Sequence, residues 1–209
     1  MTVALAAGDP PAAEVVAQTI AALRAGQVVA IPTDTVYGLA VDPFRTGAAD
    51  RLFQLKRRPR EVDLPVLVAD KEQALSLAIA VPEPALQLMD LYWPGALTLV
   101  LPRNPEVAAD LGTDDATIGL RCPAHPVPLA LCAAAGPLAT TSANLHGQPT
   151  LSTAADVVAT FGSSVNIVID GGTCAGAPST VVDCTGEVPK LLRQGRIPWS
   201  EIVASLLHP

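Results

Sequence analysis

Aromatic side chains make up only 3% of this 209-residue chain. A core must therefore be built from Val, Leu, Ile and Ala, with few rings to fill gaps. Cationic side chains are scarce too: 13 Lys and Arg stand against 20 Asp and Glu, a formal charge of −7. That balance argues against a broad phosphate-gripping surface, because nucleic-acid affinity rests on Lys and Arg neutralising phosphates. It leaves room for a local basic cluster. The opening MTVALAAGDPP holds no Lys or Arg and the first cation is Arg24, so the positive start of an export signal is missing. No apolar run approaches the roughly 20 residues that span a bilayer. A cytoplasmic protein with no membrane contact is expected. The four cysteines, Cys122, Cys132, Cys174 and Cys184, form no CxxC pair and sit among aliphatic neighbours. Metal-ligand spacing is absent, and reduced, buried thiols are expected. Neither GxxxxGK[ST] nor GxGxxG occurs, which excludes a P-loop and a Rossmann fingerprint.

Half of the residues are hydrophobic, enough for one globular domain with a sizeable core. Twenty prolines and fifteen glycines imply many short connections. Helical spacing of Val16, Ile20 and Leu23 marks a helix over 12–25, stopped by Gly26. VVAI (28–31) is a strand. Helices are expected over 48–57, 70–78 and 83–93, the second opened by Asp70 with Gln73 three residues on. LPVLVA, ALTLVL, TIGLR (117–121), PLATTSA, NIVID, STVVDC and KLLR are expected strands. Helices are further expected from about Val127 to Ala135, from Ser152 or Thr153 to Thr160, and after Pro198. The interleaving predicts an α/β or α+β fold on a mixed sheet, in a single domain over 1–209.

Four polar stretches each follow or end an expected strand: PTDTVYG, KRR, TTSAN and PSTVVD, joined by Arg121 and Arg193. Loops after strands can gather at a sheet edge into a pocket. Each stretch has a plain alternative. Thr33, Asp34 and Thr35 suit a turn or cap, with Tyr37 in the core. Lys56 to Arg58 suit a helix C-terminus, Ser142 and Asn144 an Asx-type turn, and the two arginines surface ion pairs. Together they supply cations, hydroxyls, an amide and glycines, which is what an anionic, polyoxygenated substrate requires. Lys56 and Arg58, two apart, would point to one side of an extended segment.

The ordered set PTDTVYGL (32–39), Lys-x-Arg-Pro (56–59), WPGALTLVL (93–101), GLRCP (119–123), TTSAN (140–144), STVVD (179–183) and LLRQG (191–195) resembles the YrdC-like L-threonylcarbamoyladenylate synthases over about residues 15–199. The resemblance implies a twisted mixed sheet with flanking helices, of the YrdC/RibB-like kind, curved around a concave active site. It implies a reaction: L-threonine, bicarbonate and ATP give L-threonylcarbamoyl-AMP and pyrophosphate, for N6-threonylcarbamoyladenosine in tRNA. It also implies a division of roles. Thr33, Thr35, Tyr37, Arg121, Thr141 and Ser179 would bind threonine. Lys56, Arg58, Ser142, Asn144, Thr180 and Arg193 would bind ATP, with Lys56 and Arg58 catalytic. Asp34 is a candidate amine base or metal-water contact. Mg2+ would accompany ATP without a dedicated protein site. Downstream threonylcarbamoyl transferase proteins would be partners, and tRNA contact would be weak at most. Longer members of the family carry a further C-terminal domain, which is not expected within these 209 residues. The alternatives are a paralogue with another acceptor and a double-stranded RNA-binding module, the latter disfavoured by the acidic balance and few aromatics.

Overall fold

A computed structural model describes residues 2–113, 116–174 and 176–207. Ten strands form one mixed sheet: β1 (Val3–Ala6), β2 (Val29–Ile31), β3 (Gly38–Val41), β4 (Val66–Leu67), β5 (Leu97–Pro102), β6 (Thr117–Arg121), β7 (Leu138–Ser142), β8 (Ile167–Asp170), β9 (Thr180–Asp183) and β10 (Lys190–Arg193). Their order is β1-β8-β2-β3-β7-β4-β6-β5-β9-β10. Parallel pairs (β1 with β8, β2 with β8, β4 with β6, β5 with β9) are mixed with antiparallel ones. Seven α-helices flank it: α1 (Ala13–Arg24), α2 (Ala48–Lys56), α3 (Lys71–Leu77), α4 (Glu83–Tyr92), α5 (Pro126–Ala135), α6 (Ala154–Phe161) and α7 (Trp199–Leu207).

The period-2 alternation of the central strands sorts their side chains onto two faces. Val29, Ile31 and Ala40 join Leu23 of α1 and Val127 and Leu131 of α5 in one apolar cluster. Ala30, Leu39 and Val41 join Leu52 of α2, Leu88 of α4, Val157 of α6 and Ile202 of α7 in the other. All four cysteines are free and buried. Burial pushes the Cys122 thiol up to about 11 and Cys184 to about 12, and raises Cys132 and Cys174 as well.

The expected helices and strands recur with ends shifted by a few residues, and two strands were not foreseen. β1 lies in the opening stretch and adds to β8 in parallel. β3, the GLAV that follows PTDTVY, pairs with β2 and β7. Asp70 Oδ1 accepts from Gln73 N at 2.8 Å, the expected cap of α3. The extended path expected after α2 is corrected. Lys56 ends the helix, and Arg57 takes a left-handed conformation (φ 54, ψ 40), uncommon for a residue with a side chain. The turn at Arg57 sends Lys56 and Arg58 to different partners.

His125 caps α5, its Nδ1 accepting from Val127 N at 3.2 Å, so the cap requires an unprotonated Nδ1. Burial lowers the His125 pKa from the ordinary 6.5. The unfolded chain therefore takes up this proton first, and the contribution, full above pH 6.5, is lost as the pH falls below it. His125→Asn keeps an acceptor of about 1 kcal/mol without the titration. Thermal melts from pH 7.5 to 5 are expected to show a shallower loss in the variant; equal slopes would remove His125 from the pH response.

Candidate active site

A cavity of about 280 Å³ lies across the sheet, lined by strand residues such as Gly38, Thr98, Thr140 and Arg121 and by the loops that follow β2 and precede β9. It is built over the strands, not at the sheet edge expected from loop positions. Of the twelve residues assigned from sequence, eight line it: Thr33, Thr35, Arg58, Arg121, Thr141, Ser142, Ser179 and Arg193.

The PTDTVYG stretch makes its turn with its own hydroxyls. Thr33 Oγ1 donates to Val36 O at 2.7 Å and accepts from the Thr35 and Val36 amides. Its one proton is spent, so in the 2.9 Å contact between the two hydroxyls Thr35 is the donor. Thr35 Oγ1 in turn accepts from Arg121 Nη1 at 2.9 Å. The chain of donors runs Arg121, Thr35, Thr33, Val36. Thr33 is saturated, whereas Thr35 keeps acceptor capacity for a ligand N–H or O–H.

Arg121 is almost wholly enclosed, and each side of its guanidinium has a partner. Nε donates to Gly95 O at 3.0 Å and Nη2 to Asp34 Oδ1 at 2.6 Å. This ion pair has side chains only 8% and 11% exposed. The Gly95 carbonyl is placed by a tight turn after α4 that requires glycine: a Cβ there would stand 2.3 Å from Tyr92 O. Burial lowers the Arg121 pKa, Asp34 raises it, and the charge of Arg193 lowers it further. Asp34 lines a neighbouring groove of about 530 Å³, and the cavity lining does not include it. Its Oδ1 is engaged by Arg121, so the carboxylate is an ion-pair partner on the groove side rather than a group that lines the cavity.

Arg58 donates from Nε to Val62 O at 2.7 Å and from Nη2 to Asp63 O at 2.8 Å. Arg193 binds Ser179 O and Ser179 Oγ through Nη2 at 3.0 and 3.2 Å, and Thr98 Oγ1 lies 2.8 Å from Ser179 Oγ. β10 can sit this close because residue 195 is Gly, whose Cβ would stand 2.3 Å from Ser179 C. Burial lowers the pKa of Arg58 and Arg193, and Arg193 adds to the effect on Arg58. Guanidinium groups stay protonated, so three cations converge on the cavity with one paired carboxylate. Such a field requires an anion. A further groove near the start of β2, about 460 Å³, is lined by one cation, Arg51, and its Nη1 is used on Gly26 O.

A family model described as "Telomere recombination", that of Sua5, YciO and YrdC, matches residues 21–195. The chain belongs to the Sua5/YciO/YrdC family. It is 37% identical over 192 residues to a putative threonylcarbamoyl-AMP synthase of Mycobacterium tuberculosis, covering 91% of this chain and 88% of that one. It is 40% identical over 203 residues to the threonylcarbamoyl-AMP synthase of Bacillus subtilis, covering 96% of this chain and 58% of the longer relative. Sua5 from P. abyssi complexed with L-threonine superposes with a TM-score of 0.90 at 36% identity, covering 98% of this chain and 60% of that one.

Four family-suggested residues do not line the cavity. Lys56 is 2% exposed and its Nζ meets Ser142 O and Asn144 Oδ1 at 2.6 Å, Asn144 O at 3.1 Å and Ser142 Oγ at 3.2 Å. Burial, and then the charge of Arg58, lowers its pKa to about 8. Four oxygens act in the opposite sense, because only an ammonium has three protons to share among them. Asn144 completes the knot, accepting from Ser142 Oγ and donating to Gln148 O. Tyr37 is fully buried and its hydroxyl donates to Gly172 O and accepts from Gly171 N. Thr180 is also fully buried, donating to Ile197 O and accepting from Gly195 N and Ile197 N. Thr98 and Thr140 had been given no role: Thr98 is the one hydroxyl inside the otherwise apolar β5, and Thr140 opens the TTSAN stretch without having been assigned a contact.

The Thr180 hydroxyl holds three backbone groups, so Thr180→Val is expected to cost about 2 kcal/mol or more. A lowered denaturant midpoint with unchanged ATP affinity of the folded protein would fit this placement; lost ATP affinity at unchanged stability would contradict it.

Proposed function

We propose that this chain is a threonylcarbamoyl-AMP synthase, forming L-threonylcarbamoyl-AMP and pyrophosphate from L-threonine, bicarbonate and ATP. The observation that carries it is the cavity itself: a small hydroxyl-lined space ringed by Arg58, Arg121 and Arg193, in a chain that superposes on a threonine-complexed relative. Arg121 supplies a planar fork for the threonine carboxylate. Thr35, whose own proton is spent on Thr33, accepts a hydrogen bond from the substrate's hydroxyl or amine. Thr141 and Ser179 complete that end. Arg58 and Arg193 take the triphosphate, and Ser142 stands beside them.

Chemically, the neutral amine of threonine adds to bicarbonate-derived CO2, forming a C–N bond and losing a proton to give a carbamate. A carbamate oxygen then attacks the α-phosphorus, and the bond to the pyrophosphate oxygen breaks in line. The protein's work is positioning and stabilisation of charge on the phosphoryl oxygens. Mg2+ enters with ATP in this reading. The cavity lining contains no carboxylate, so the protein offers no strong ligand and phosphate oxygens and water supply the coordination.

The product is an activated acyl donor for tRNA, consumed by separate threonylcarbamoyl transferase proteins in the cytoplasm. None of the described helices is long and apolar enough to cross a membrane. The RNA-binding alternative finds less support: the three cavity cations line one small concavity and not a broad surface, and the chain carries a formal charge of −7.

Purified protein given MgATP, bicarbonate and a panel of amino acids is expected to release pyrophosphate with threonine and to form the adenylate seen by mass spectrometry. No threonine- and bicarbonate-dependent product, with ATP bound, would instead indicate a paralogue with another acceptor. Arg58→Ala is expected to lower kcat/KM about 100-fold or more, and Lys56→Met to do likewise by releasing the Ser142–Asn144 turn. Normal turnover in both folded variants would remove these residues from the mechanism.

A further inference from the structure

Asp34 is the one charged side chain in PTDTVYG, and its carboxylate lies on the far side of Arg121 from the ligand space. It lines the 530 Å³ groove, Arg121 lines the cavity, and their pair is a partition between the two. The carboxylate is held rigidly. The flanking turn is closed by Thr33, and Asp34 O accepts from Arg196 Nη1 at 2.7 Å.

Arg121 has five N–H groups. Nε is fixed on Gly95 O, one Nη1 proton on Thr35 Oγ1 and one Nη2 proton on Asp34 Oδ1. Each terminal nitrogen keeps one N–H that a ligand oxygen can take. Of the three anchors, only Asp34 carries charge, and it opposes the repulsion Arg121 feels from Arg193. Without it the guanidinium could turn about the bonds beyond Nε, and a buried cation would lose its counter-charge.

We infer that Asp34 is a positioning residue: by holding Nη2 from the groove side, it orients the Arg121 fork toward the substrate carboxylate. The inference rests on the cavity being a threonine site. It differs from a purely electrostatic role, because Asp34→Asn keeps an acceptor while removing the charge, and Asp34→Ala removes both.

The test has two arms. Nitrogen-15 spectra of the arginine Nη groups, with Arg121 identified by its loss in Arg121→Lys, are expected to show slow rotation in wild type. That should persist in Asp34→Asn and average out in Asp34→Ala. Calorimetry with threonine is expected to show Kd raised about tenfold in Asp34→Ala and far less in Asp34→Asn, with MgATP affinity unchanged in both. Slow Arg121 rotation in Asp34→Ala would overturn the inference. So would equal weakening by the two variants, or parallel weakening of threonine and MgATP. If Asp34→Ala does not fold, Asp34→Leu, which likewise offers neither charge nor acceptor, faces the same expectations. Wild type that binds no threonine would sink the threonine reading, while the spectra would still decide whether Asp34 orients Arg121.

Discussion

A buried ammonium ties the end of one helix to the turn after the central strand. Lys56 reaches from the last residue of α2 to four oxygens of Ser142 and Asn144, and His146 N returns a bond to Lys56 O. That single charge must be enclosed to hold the turn, and it is tolerated in the interior only because every proton has an acceptor. The position of Ser142 at the cavity follows from it. So does the direction of Arg58, which the left-handed Arg57 swings away from Lys56 and into the cavity wall. A family motif written as Lys-x-Arg thus contains two unlike parts: an internal brace and a cation that lines the cavity.

The same division runs through the rest of the site. Tyr37 and Thr180 spend their hydroxyls on backbone groups, whereas Arg121, Ser179 and Arg193 meet the cavity. Strand residues add to the hydroxyls of the loops: Thr98 from β5 and Thr140 from β7. Glycine enters where backbones must touch. Without Gly95 the carbonyl that anchors Arg121 could not sit beside Tyr92, and without Gly195 the arginine of β10 could not reach Ser179.

Much of the fold was legible because its elements carry strong local signals. α1 ends at a glycine, α3 begins with an Asp that caps Gln73, and TIGLR has the bounds of β6. Two strands escaped for a physical reason. GLAV and VALA are short apolar runs whose strand state comes from their neighbours, β2 and β7 in one case and β8 in the other, and nothing local distinguishes them from a loop. For the site, residue type and order pointed to eight of the lining residues. What could not be read was which hydroxyls and cations are consumed internally, since that depends on distances across the sheet: Lys56 and Ser142 are 86 residues apart, as are Thr35 and Arg121.

The four enclosed thiols have a practical meaning. Cys122 follows Arg121, Cys132 lies in α5, Cys174 in the loop before β9 and Cys184 just after it. With their pKa values raised, thiolate is scarce at neutral pH, and the thiolate is the reactive form. Each cysteine is therefore silent toward alkylating reagents while its surroundings stay closed and becomes reactive once they open. The chain carries four built-in reporters of local opening, one of them adjacent to the arginine at the heart of the cavity.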